Sequence, residues 1–190
     1  MAWLMVSDPD DDPPGGLYPQ AHIFAAGNRP GAVRPNIVAR LAAFEQSRGL
    51  NACPITREID HALIALRKAG RQALRVLDVG CEDGGWLIET VLHAPMLGFV
   101  AIEGRGFDTV AAMVERARST AAGIHDPRIG LSFDVADVAA ALADEDDHGA
   151  DIVLCHYGLL ARLPLDCHEH VVAELARVTA GTLICLGGAQ

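Results

Sequence analysis

Between residues 75 and 186, short apolar runs alternate with stretches whose apolar residues recur every three or four positions, and this alternation constrains the fold more than any other feature. Residues 75–79, 99–103, 131–135, 152–156 and 182–186 read as five strands. Residues 86–93, 108–122, 138–143 and 168–179 read as the helices between them, the second with Val110, Val114 and Ala117 on one face. Asp166 and Glu169 stand in the spacing of a capping box ahead of the last helix. Repeated β-α units with short connections predict an α/β fold, a doubly wound and mostly parallel sheet with helices on both faces.

Composition agrees with that architecture. Hydrophobic residues make up 51% of the 190 positions but aromatic ones only 5%, as expected of Val, Leu and Ile strands under Ala-rich helices. A formal net charge of −10 repels a phosphate backbone and argues against nucleic acid as a partner. Cys53, Cys81, Cys155, Cys167 and Cys185 form no CxxC pair, and the chain opens without a secretory signal pattern, so a reducing cytoplasm is the expected location. No apolar run approaches the roughly 18 residues that span a bilayer, and a soluble protein is expected.

The N-terminal third reads differently. Residues 7–16, SDPDDDPPGG, cannot bury enough apolar surface to offset the entropy of ordering, so residues 1–16 are expected to form a disordered tail. The AWLMV before them suits a small strand or a sticky terminus equally well. Residues 17–70 read as a helical segment covering the sheet, with one helix around Ile37, Leu41 and Phe44 and another around Ile59, Leu63 and Leu66. Thr56 is the expected N-cap of the second and Gly70 its stop. Residues 71–190 then form the ligand-binding core.

Ligands in such a sheet lie beyond the carboxyl ends of the strands, where strand order reverses. After the first strand the chain runs Val76-Leu77-Asp78-Val79-Gly80-Cys81-Glu82-Asp83-Gly84-Gly85-Trp86, a glycine-containing turn entering a helix. A dinucleotide fingerprint needs glycine where Glu82 stands, and that carboxylate would repel a pyrophosphate, which leaves a nicotinamide-dependent oxidoreductase as a distant reading. The stretch resembles the first motif of class I, Rossmann-like, S-adenosylmethionine (SAM) dependent methyltransferases: Asp78, Gly80 and Gly84 match, and Glu82 departs from the usual glycine. Phe133-Asp134-Val135-Ala136-Asp137-Val138, Asp151-Ile152-Val153-Leu154-Cys155-His156 and Glu174-Leu175-Ala176-Arg177-Val178 resemble later segments of that family.

The resemblance implies SAM as cofactor. It assigns Asp78, Gly80, Cys81, Glu82 and Gly84 to the methionine side, Glu103 to the ribose and Asp137 to the adenine, with Gly104, Val138 and Cys155 as further cofactor-binding residues. His156, at the end of strand four, is the candidate base, and Tyr157 a candidate wall of the acceptor pocket. His22, Phe24, Asn28 and Arg29 are candidate contributors to that pocket. The expected activity is methylation of a small molecule.

Each residue also has a plainer reading. The glycines suit any tight turn, Glu103 and Asp137 suit helix N-caps, and His156 suits a hydrogen-bonded core position. Cys167, His168 and His170 lack the paired spacing of a zinc site, and no metal is expected. The sequence ends just after strand five, where this family usually adds further strands, so strand five is expected to present an apolar edge that a second copy of the chain could cover. A catalytically inert SAM-fold binding or assembly module is accordingly the alternative to an enzyme.

Overall fold

The computed structural model describes residues 54–186. The expected tail, the helix around Ile37, and His22, Phe24, Asn28 and Arg29 lie outside the described residues.

Eleven elements follow one another in the described span. They are α1 (Pro54–Lys68), β1 (Ala73–Val79), α2 (Gly85–Leu97), β2 (Ala101–Asp108), α3 (Ala111–Ala121), β3 (Ile129–Val135), α4 (Val138–Ala143), β4 (Ala150–His156), α5 (Tyr157–Arg162), α6 (Leu165–Val178) and β5 (Thr179–Leu186). All strands pair in parallel, in the order β3-β2-β1-β4-β5. The chain therefore builds outward from β1 to β3, returns, and builds outward again from β4. Strand order reverses between β1 and β4.

Side-chain alternation sorts the strands into two buried faces. Leu74, Val76, Ile102, Ile152, Leu154 and Ile184 pack with Leu63 of α1, Leu87 and Val91 of α2, and Val114 and Ala117 of α3. Leu77, Val79, Phe107, Val153 and Cys155 pack on the other face with Val138 and Leu142 of α4 and Val171, Leu175 and Val178 of α6. Because β1 is covered on both faces and paired on both edges, its residues need no polar alternation, which explains its near-continuous apolar run.

Several boundaries differ from the sequence reading, each for a physical reason. α1 begins at Pro54, whose missing N–H suits a first helical position, so Thr56 is a buried residue inside the helix and not its cap. α2 runs through Pro95 in its last turn and ends at Gly98, which adopts the left-handed conformation at φ 94°. α6 begins at Leu165 after Pro164, without the side-chain cap expected from Asp166.

The largest difference is in β2, which continues five residues beyond Glu103 to Asp108. The sequence reading ends this strand at residue 103, ahead of Gly104 and Gly106. In the fold they are strand residues that let neighbours approach: a Cβ on Gly104 would lie 2.6 Å from Leu131, and one on Gly106 2.7 Å from Phe133.

Beneath α4 and α6, toward the amino ends of the strands, sits a charged network. Glu145, buried, accepts hydrogen bonds from Arg75 at 2.7 Å and Arg105 at 2.6 Å. Arg75 also lies 3.8 Å from Glu103, and Arg105 pairs with Asp134 at 3.3 Å. This network ties the loop after α4 to the central strands. At the opposite edge, β5 leaves Leu183 and Cys185 exposed on the α6 side.

Replacing Glu145 with alanine takes the closest carboxylate from two partly buried guanidinium groups. The expected loss is about 2–4 kcal/mol, somewhat below that of a fully buried pair because both arginines retain some water contact. Urea unfolding of the variant measures it.

Candidate active site

The turn after β1 is held by backbone geometry. Gly80 and Gly84 have φ of 73° and 75°, and Glu82 has φ 50°, a left-handed conformation that a non-glycine residue seldom adopts. The amides of Gly80 and Cys81 both donate to the Phe107 carbonyl, at 2.9 and 3.1 Å, and the Gly84 amide donates to the Cys81 carbonyl at 2.8 Å. Gly84 also lacks room for a side chain, since a Cβ would stand 2.6 Å from the Phe133 ring. Leu159 of α5 lies over Gly80, where a Cβ would stand 3.3 Å from its side chain.

Asp108, at the carboxyl end of β2, joins the loops of this crevice. Its Oδ2 accepts from the Glu82 amide at 3.0 Å and its Oδ1 from the Val110 amide at 2.8 Å. Its own carbonyl accepts from the Ala136 amide, beyond β3, at 3.1 Å. One residue thus ties the tips of β1, β2 and β3 together.

Asp78, near the end of β1, is fully buried. Neither carboxylate oxygen has a hydrogen-bond partner of standard geometry among the described residues. Burial, reinforced by the negative charges of Glu82 and Asp108, pushes its pKa up to about 8, and the Leu87 amide in the first turn of α2 offsets only a little of this. His156 Nε2 lies 3.8 Å from Asp78 Oδ1, and His156 Nδ1 lies 4.0 Å from Glu82 Oε1. Burial holds the imidazole below its ordinary pKa against the opposing pull of Glu82 and Asp108, so its basic form prevails at neutral pH. Burial likewise raises the thiols of Cys81 and Cys155, the latter to about 12, and keeps both protonated and unreactive.

The residues singled out from the sequence divide into three groups. Asp78, Gly80, Glu82, Gly84 and His156 come together at the switch point, with Cys81 buried behind the turn against Gly106. Asp137 caps α4, its Oδ1 accepting from the amides of Ala139 and Ala140, and Val138 contributes its side chain to the core. Tyr157 opens α5.

Glu103 and Gly104 lie elsewhere, and Cys155, paired with Val79 at the switch point, turns its side chain to the opposite face of the sheet. Glu103 does not end its strand: it is the third residue of β2, and its carboxylate faces Arg75 on the α4 and α6 side. Burial raises its pKa to about 6 although Arg75 pulls the other way. Gly104 serves contact with Leu131, and Cys155 packs among Val79 and Val153. The acid at the strand tip is Asp108, on the same face as Asp78. The apolar Phe107 directly before it is compatible with a longer strand but does not by itself require one.

A parallel doubly wound sheet with glycine turns and an acid at the switch point defines the Rossmann-like class, whose ligands are held by strand-end loops. Residues 76–181 match the model of a methyltransferase domain. The chain belongs to that family, and its five-stranded sheet is the core of the class I SAM-dependent methyltransferases. No curated protein sequence matches the chain.

Solved structures agree on the fold. The CurJ carbon methyltransferase superposes with a TM-score of 0.53 at 17% identity, over 69% of this chain and 34% of that one. WbdD gives 0.52 at 19%, over 68% and 28%. Magnesium protoporphyrin IX methyltransferase from Synechocystis PCC 6803, with bound S-adenosylhomocysteine (SAH), gives 0.50 at 20%, over 76% and 66%. The chain spans between 28% and 66% of the length of these proteins.

The residues present fit SAM. The buried carboxyl of Asp78, with no hydrogen-bond partner of standard geometry among the described residues, can accept from a cationic donor, and the Gly80 turn brings backbone close to that point.

The raised pKa of Asp78 is a stability statement with a definite sign. Below its ordinary pKa of 3.8 the carboxyl is protonated in both folded and unfolded chains and contributes nothing; between 3.8 and 8 the unfolded chain alone loses its proton, so folding weakens as pH rises. Asp78→Asn is therefore expected to match the wild-type ligand-free protein near pH 4. Above that it becomes progressively more stable by up to about 1.4 kcal/mol per pH unit, levelling off above pH 8. Thermal unfolding of both proteins across that range checks it.

Proposed function

We propose that this chain binds SAM at the β1–β4 switch point and methylates a small molecule bearing an ionisable O–H or N–H group. The observation that carries this reading is Asp78, a fully buried carboxyl group with no hydrogen-bond partner of standard geometry among the described residues, at the point where strand order reverses. Asp78 and the turn from Gly80 to Gly84 hold the methionine end. Asp108 accepts from the ribose hydroxyls, and Asp137 with the Val138 amide borders the adenine.

SAM supplies an activated methyl group on a sulfonium, so the protein's task is mainly orientation and exclusion of water. His156 receives the acceptor's proton, a role for which its neutral form suits it. The acidic surroundings, with Glu82 half-exposed at the rim, disfavour anionic acceptors such as nucleic acid.

Isothermal titration of the full chain with SAM and SAH tests the reading, and absence of binding of both at millimolar ligand would end it. Asp108→Ala is expected to weaken binding by about 1.5–3 kcal/mol, the range for a hydrogen bond to a charged group, whereas Glu103→Ala leaves affinity unchanged. The reverse pattern would move the ribose to the other acid.

A further inference from the structure

Glu82 occupies the position at which the family's first motif carries glycine. Its backbone holds the left-handed conformation of the turn, and its amide is fastened to Asp108. The substitution therefore leaves the turn intact and adds a negative charge at the mouth of the crevice.

Four acidic side chains meet at this small space. Glu82 and Asp108 both act on Asp78, and Glu82, Asp108 and Asp83 all act on His156. Burial disfavours the protonated form of His156, which therefore offsets little of this charge. Arg162 of α5 is the opposing cation that acts on His156. At the centre stands Asp78, wholly buried with no standard hydrogen-bond partner among the described residues.

SAM carries a sulfonium, an ammonium and a carboxylate, hence one net positive charge. Transfer of the methyl returns the C–S electron pair to sulfur, leaving SAH, a thioether with no net charge. The two ligands are otherwise alike in every group that the ribose and adenine contacts address. An excess of negative charge in a partly water-excluded crevice therefore acts on the difference between them.

We infer that Glu82 is a specificity-determining residue that makes the site charge-selective, so that the cationic cofactor is held more tightly than its neutral product. This rests on the SAM reading above. The charge lost in transfer weakens the grip on the product at the moment it forms, so turnover meets little inhibition by SAH.

Titration of the full chain with SAM, SAH and sinefungin, which keeps a cationic amine in place of the sulfonium, tests this. SAM and sinefungin are expected to bind at least about threefold more tightly than SAH, and the ratio to shrink between about 0.01 M and 1 M salt as charges are screened. Glu82→Gln lowers the ratio by about two- to fivefold, the range for one partly exposed charge pair. Glu82→Gly does the same, in a backbone conformation that glycine adopts without strain. Equal affinities for the three ligands, or a ratio unmoved in both variants, overturns the charge selectivity while leaving the SAM site standing. Failure of all three to bind overturns both.

Discussion

A carboxylate withdrawn completely from water is costly unless something compensates it, and the arrangement of this fold around Asp78 follows from that cost. The side chain sits near the carboxyl end of the central strand, where β1 is paired on both sides and covered on both faces. Moving it to an edge strand would let water solvate it and remove the demand for a partner. The turn after β1, the tip of β2 and the end of β4 all close on this point, through Gly80, Asp108 and His156 respectively. A cationic ligand brought to this point favours the ionised form of Asp78 and lowers its raised pKa.

The two acids of β2 show how position along a strand decides what a carboxylate does. Glu103 and Asp108 are five residues apart, an odd number, so in a pleated strand they project to opposite faces. Glu103 points toward α4 and α6 and joins Arg75 in a network that fastens the loop after α4. Asp108 points toward the crevice and has its oxygens bound by two loop amides. One holds the scaffold together near the start of the strands, and the other organises the site near their end.

That contrast also marks how far the sequence was legible. All five strands were apparent because buried parallel strands are continuous apolar runs, and the glycine turn was apparent because its left-handed positions need glycine. The end of β2 was misread because Gly104 and Gly106 carry no local sign of whether they turn the chain or admit a neighbour. Only the Leu131 and Phe133 side chains on the adjacent strand decide this, and they are distant in sequence. The short helix α5 was missed for a similar reason, since six residues are too few to display a period. The capping role of Asp137 was legible, because an acid before Val-Ala-Ala-Ala-Leu is a helix cap by its position alone.

The strand order has a consequence for how the molecule opens. Amides of β1 and β4 lie at the middle of the sheet and are reached by solvent only after an outer strand has detached, whereas β3 and β5 can fray singly. Hydrogen exchange should thus be slowest along Val76–Val79 and Ile152–Cys155, the segments paired across the reversal. The framework carrying the crevice is the last part to come apart, so breathing at either flank leaves its geometry in place.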